Sequence, residues 1–179
     1  ADNEQLKGVS RMESLDIILG WGGITPSKEQ KLELADRKNE WYKDLISHMQ
    51  PGEILPGVPE FLDDLQRNGI RIALGSASKN AGAVIQSIGL GDCFEVIVDG
   101  RQTTRSKPDP QVFQLAAAEL GLQPAACIVF EDADSGIEAA LAGGFYAVGV
   151  GSPEVLGKAH MVIPGFAGLA WSDVLNTLK

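Results

Sequence analysis

At 179 residues, with 44% hydrophobic and 22% charged side chains, the chain has a globular composition, neither disordered nor fibrous, and enough length to bury a substantial core. Fifteen basic against twenty-four acidic residues leave a formal charge of −9, which argues against nucleic acid or an anionic membrane surface as a partner. The apolar runs fall short of the roughly 20 residues of a membrane helix, and Cys93 and Cys127 are too few and too separated for a disulfide framework or a cysteine metal site. A cytoplasmic protein with reduced thiols is therefore expected.

Residues 1–9 show no start of an element, and the chain is expected to begin partway through a larger unit. Ser10, with Glu13 three residues later, reads as a capping box for a helix through Leu15, Ile18 and Leu19, closed by Gly20, Gly22 and Gly23. Pro26 and Ser27 open a long helix to about Met49, with an apolar stripe of Leu32, Ala35, Tyr42, Leu45, Ile46 and Met49. Lys38 falls on that stripe, either snorkelling along it or aimed as a cation into a cleft. His48 and His160 stand alone, with no partner at metal-ligand spacing.

Gln50-Pro51-Gly52 breaks the pattern, and beyond it apolar strands alternate with helical segments, the mark of βαβ units. A helix is expected over 58–68, strands over 70–74 and 94–98, and helices from 84 and over 111–120. A strand over 127–130, a helix from 135, and strands over 145–150 and 160–163 follow, with a terminal helix over 172–178. The expected organisation is an all-helical unit, residues 1–50, followed by an α/β unit, residues 51–179, with a parallel sheet.

In a parallel sheet the crossovers bring all C-terminal strand ends to one edge, where ligands bind. Three features gather there: Ser76 after the 70–74 strand, Lys107 after the 94–98 strand, and Glu131-Asp132 after the 127–130 strand. The acidic pair suits a hard cation such as Mg2+, or else caps the following helix. A hydroxyl at a helix start, a lysine and a cation site together form a kit for handling a phosphoryl group.

These features resemble the later motifs of the haloacid dehalogenase superfamily of phosphotransferases: a Ser or Thr after a core strand (Ser76), a Lys (Lys107) and an acidic pair (Glu131, Asp132). The resemblance implies a Rossmann-like core with a small helical cap and covers nearly the whole chain. Within the superfamily the chain resembles the β-phosphoglucomutases. The stretch holding Gly8, Val9, Arg11 and Ser14 is similar to their cap loop, whose arginine grips the distal phosphate. Lys38 matches a substrate-contacting cap lysine, and Ser76-Ala77-Ser78-Lys79-Asn80 their second motif. The resemblance implies Mg2+ at Glu131 and Asp132 and a sugar phosphate as the small-molecule partner; a monomer is expected, but the sequence does not derive it.

One family motif has no counterpart. The Asp-x-Asp ending the first core strand, which carries the nucleophile and the acid/base, is matched nowhere; Asp63-Asp64 fall in a helix and Asp132 with Asp134 in the last motif. The resemblance thus implies that the first strand and first cap helix are missing, and that this chain alone does not turn over substrate. Three functions stay open at this point: a mutase interconverting β-glucose 1-phosphate and glucose 6-phosphate, a sugar-phosphate phosphatase, and a non-catalytic sugar-phosphate-binding domain.

Overall fold

Two capping boxes start the chain's first helices, in a computed structural model that describes residues 5–178. Residues 1–4, part of the stretch expected to lack an element start, lie outside the described residues. Glu13 Oε2 accepts the Ser10 amide at 2.8 Å and Ser10 Oγ the Glu13 amide at 3.4 Å, opening α1 (Arg11–Trp21). Ser27 and Gln30 repeat the arrangement at α2 (Lys28–Ser47). The two helices meet through Leu15, Leu19 and Ala35.

The expected stripe on α2 needs correction. Ala35 and Ile46 are buried, but Leu32, Tyr42 and Leu45 are exposed, and the buried residue between Ala35 and Ile46 is Asn39, not Lys38. At about 100° per residue, Ala35, Asn39 and Ile46 fall within roughly 40° of one another, while Lys38 and Leu45 sit about 60–80° to one side. Lys38 therefore flanks the inward face and stays exposed.

The rest of the chain runs α3 (Val58–Arg67), β1 (Ala73–Gly75), α4 (Ala81–Ser87), β2 (Val96–Val98), α5 (Gln111–Glu119), β3 (Ile128–Glu131), α6 (Asp134–Ala142), β4 (Tyr146–Val150), α7 (Pro153–Leu156), β5 (Met161–Ile163) and α8 (Trp171–Leu178). Every ladder is parallel, β1 with β2 and β3-β4-β5 in that order, as an α/β fold requires. Among the described residues no ladder joins β1 to β3, so each carries one unpaired edge.

Several strands are shorter than their apolar runs. The expected 70–74 strand is 73–75, extended backward only by the Glu95 amide donating to the Ile72 carbonyl at 2.9 Å. Ile70 and Ile72 belong to the core by side-chain packing. Cys127 precedes β3, of which only Val129 is buried, and Glu131 ends the strand rather than following it. The short α7 carries too few residues to show a period.

The core has two faces. Val98, Val112, Phe113, Ile137, Ala140 and Ala147 pack with α5 and α6, while Phe61, Leu65, Val148, Ile163 and Val174 pack with α3 and α8. Adjacent Ala147 and Val148 serve opposite faces, as strand geometry dictates. Among the described residues no helix is long and apolar enough to cross a membrane.

Candidate active site

The C-terminal ends of β1, β2 and β3 open into a cavity of about 1560 Å3, closed on its far side by the N-terminus of α1 and by α2. It is lined by Gly8, Val9, Arg11, Ser14, Lys38, Ser76, Ala77, Ser78, Lys79, Asn80, Lys107, Glu131 and Asp132, which are all the site residues expected from the sequence. Five of the lining residues are basic (Arg11, Lys38, Lys79, Arg105, Lys107) and five acidic (Glu13, Asp36, Asp109, Glu131, Asp132). The lining is thus formally neutral, less acidic than a chain with 15 basic and 24 acidic residues.

Lys107 is the buried centre of the core side. Only 7% exposed, its Nζ lies 3.0 Å from Glu131 Oε2 and 4.7 Å above the centre of the Phe113 ring. Its loop is pinned by Gln111, whose Oε1 accepts the Thr104 and Arg105 amides at 2.9 Å each, while Asp109 Oδ1 accepts the Gln111 amide at 3.0 Å. Burial pushes the Glu131 carboxyl above the usual carboxylate range, and the Lys107 charge and hydrogen bond oppose that rise. The Glu131 carboxylate occupies the space that a Cβ at residue 136 would fill, so the glycine of α6 admits it.

The helix-capping alternative holds in part for Glu131, whose carboxylate lies against the first turn of α6 at Gly136 and takes a backbone hydrogen bond at Ala133. The N-cap residue of α6 is Ala133, with no capping side chain, and Glu131 is turned to Lys107. Asp132 is exposed at the cavity edge with Lys7 Nζ at 3.4 Å. Mg2+ is commonly held by one or two carboxylates, with water and phosphate oxygens completing an octahedron. Glu131 and Asp132 suit that mode. Among the described residues no group of three or more His, Cys, Asp or Glu side chains forms a closed cage for a metal ion.

Ser76 does not cap α4. The N-cap residue there is Asn80, and Ser76 Oγ instead accepts the Ser78 amide at 3.2 Å, as Ser78 Oγ accepts the Asn80 amide at 3.2 Å. These turns shape the segment 76–80, which the Ser76 amide ties to the sheet by donating to the Val98 carbonyl at 2.9 Å.

The N-terminal segment crosses directly over the core residues. Gly8 has φ +73°, and a side chain there would run into Ser135 Oγ with Lys107 Cδ 3.4 Å away, so glycine meets both the backbone and the space demand. Ser135 Oγ donates to the Lys7 carbonyl at 3.2 Å. Ser14 is buried at the cavity wall and Arg11 half-buried. On the opposite wall, α2 meets α4 where Asn80 Nδ2 donates to Asn39 Oδ1 at 2.9 Å.

Sequence reasoning missed Asn39, Gln111 and Phe113. The first had a signal: a carboxamide four residues after Ala35 and seven before Ile46 sits on the buried face of the helix. The other two had none, because a loop clamp and a ring beneath a lysine are set by tertiary packing.

The family model for haloacid dehalogenase-like hydrolase matches residues 7–144. The chain is 42% identical to the β-phosphoglucomutase of Bacillus subtilis over 163 residues, 90% of this chain and 72% of that protein. It is 37% identical to the fructose-1-phosphate phosphatase of Escherichia coli over 117 residues, 65% of this chain and 61% of that protein. In structure it is similar to the β-phosphoglucomutase of Clostridium difficile, with a TM-score of 0.94 and 40% identity, covering 99% of this chain and 80% of that one. The matched residues take in the β1, β2 and β3 ends and the cavity between them, and with this agreement of sequence and fold the chain belongs to the haloacid dehalogenase-like hydrolase family.

Proposed function

We propose that the full-length protein is a Mg2+-dependent phosphomutase that interconverts β-D-glucose 1-phosphate and glucose 6-phosphate through the 1,6-bisphosphate. The observation that carries this reading is the two-sided distribution of cationic and polar groups around one cavity: Lys107 and Ser76 on the core side, Arg11 and Lys38 on the helical side. A bisphosphate has two anionic ends to hold, whereas a phosphatase needs to hold only the end it cleaves. Similarity to β-phosphoglucomutases along most of the chain supports the same reading.

In this proposal residues 1–50 act as a cap and residues 51–179 as the core. Lys107 Nζ and Ser76 Oγ hold the transferring phosphoryl group, and Arg11 grips the phosphate that is not reacting. Lys38 and the segment Ala77 to Asn80 contact the sugar phosphate. Gly8 and Val9 carry the cap strap across the core, and Ser14 buttresses it. Mg2+ at Glu131 and Asp132 would offset charge on the phosphoryl oxygens. The nucleophile and acid/base of the family reaction form an Asp-x-Asp, and among the described residues the one such pair after a strand is Asp132-Ala133-Asp134 of the last motif, so turnover is assigned to the full-length protein. The unpaired edges of β1 and β3 leave a place for the strand that would bring them. Closing the cap over the sugar excludes water and favours transfer to a hydroxyl.

A sugar-phosphate phosphatase is the second reading, favoured by the similarity to the fructose-1-phosphate phosphatase. The variant Arg11→Ala separates the two. In a mutase it removes a charge-assisted grip on the distal phosphate and raises KM by about tenfold or more. An unchanged KM with free phosphate as the product would favour the phosphatase.

A further inference from the structure

Asn39 presents a carboxamide on the buried face of a 20-residue helix, and it is only 8% exposed. An amide in that position is unfavourable unless it is paired. Its Nδ2 donates to Glu40 Oε1 at 3.4 Å, a long contact, whereas its Oδ1 accepts from Asn80 Nδ2 at 2.9 Å across 41 residues of chain. The good bond is the one to the facing element.

The network also fixes which way both amides are turned. Glu40 as a carboxylate only accepts, so Asn39 points its nitrogen to Glu40 and its oxygen to Asn80. Asn80 must then give one N–H to Asn39. It keeps its Oδ1 and its second N–H for whatever enters the cavity it lines. Asn80 is the N-cap residue of α4 but makes no side-chain cap bond, so among the described residues Asn39 is what orients its side chain.

We propose that Asn39 is a positioning residue of the sugar-phosphate site: its carboxamide oxygen orients Asn80 and fastens α2 to the segment 76–80. This rests on the function proposed above. The bond spans the two walls of the cavity, so it ties the placement of 76–80 to the seating of α2 on the core. A ligand that orders either wall gains from the other already being in place.

The test uses the full-length protein and three variants, Asn39→Ala, Asn80→Ala and the double variant, with β-glucose 1-phosphate as the substrate. Asn39→Ala is expected to raise KM about fivefold with a smaller change in kcat. The double variant should match Asn80→Ala within about twofold, because Asn39 acts through Asn80. A KM for Asn39→Ala within twofold of wild type, or two effects that multiply, would overturn the proposal. Amide hydrogen exchange without substrate supplies a second readout: Asn39→Ala should speed exchange in the middle of α2 and in 76–80 together, leaving β3 to β5 unchanged. Asn80→Ala removes the same bond from its other end and should also speed exchange in the middle of α2; unchanged exchange there would overturn the proposal even if Asn39→Ala failed to fold. If wild type turns over no sugar phosphate, the functional reading fails, while exchange still decides whether Asn39 orders 76–80.

Discussion

Replacing Lys107 with methionine removes a charge while keeping a side chain of similar length in a site where Lys107 and Glu131 are 5% and 10% exposed. Removing one member of a buried ion pair costs about 3–5 kcal/mol while the other remains charged. Loss of the cation above Phe113 adds about 0.5–2 kcal/mol, partly offset by sulfur–ring contact of about 0.3–1.5 kcal/mol. Glu131 has an escape, which is to take up a proton. Its folded-state pKa is already raised by burial, and Lys107 opposes the rise, so the variant raises it further. A carboxyl with a raised folded pKa binds its proton more tightly folded than unfolded. Stability therefore falls as pH climbs from the unfolded value, 4.5, to the folded one, with a slope of at most about 1.4 kcal/mol per pH unit. Lys107→Met should thus lie near wild type at pH 4.5 and about 3 kcal/mol below it at pH 8, measured by urea unfolding followed by circular dichroism. Adding Glu131→Gln should recover most of the loss at pH 8 and flatten the slope. A deficit that is the same at pH 5 and pH 8, or a double variant no more stable than the single one, would refute the reasoning.

Gly136→Ala should destabilise by about 2–4 kcal/mol in thermal unfolding, because the new Cβ displaces the Glu131 carboxylate from Lys107; elsewhere in a helix the same change gains up to about 1 kcal/mol. Asp99 is 1% exposed, and the hydrogen bonds from the Arg101 side chain hold its carboxyl below the usual range. A depressed pKa contributes stability above the unfolded value of 3.8 that is lost as pH falls through the folded value. Asp99→Asn should therefore melt lower at pH 7 and lose less on acidification from pH 5 to pH 2; an unchanged melting profile would show that the pair does not stabilise the fold.

The parallel α/β architecture was legible because βαβ punctuation and apolar runs are local signals, and because strand ends in such a sheet share one edge. Ser76, Lys107 and the Glu131-Asp132 pair could be placed on that edge from spacing alone, before any side chain was positioned. Strand bounds were less legible. Ile70 and Ile72 are apolar for packing, and Ile72 reaches the neighbouring strand only through its carbonyl, which only the ladder reveals. The α2 stripe misled for a related reason: the helix faces a cavity along one flank, so Leu32 and Tyr42 are apolar yet uncovered, and a polar residue, Asn39, is buried against a partner 41 positions away. The pinning of the Lys107 loop by Gln111 is tertiary and leaves no periodic trace.

Phosphorus NMR of β-glucose 1-phosphate mixed with Mg2+, a trace of glucose 1,6-bisphosphate and the full-length protein tests the central claim most directly. The account predicts that the glucose 1-phosphate resonance is replaced by that of glucose 6-phosphate, with the Arg11→Ala variant far slower at low substrate. Accumulation of inorganic phosphate in place of glucose 6-phosphate would contradict it.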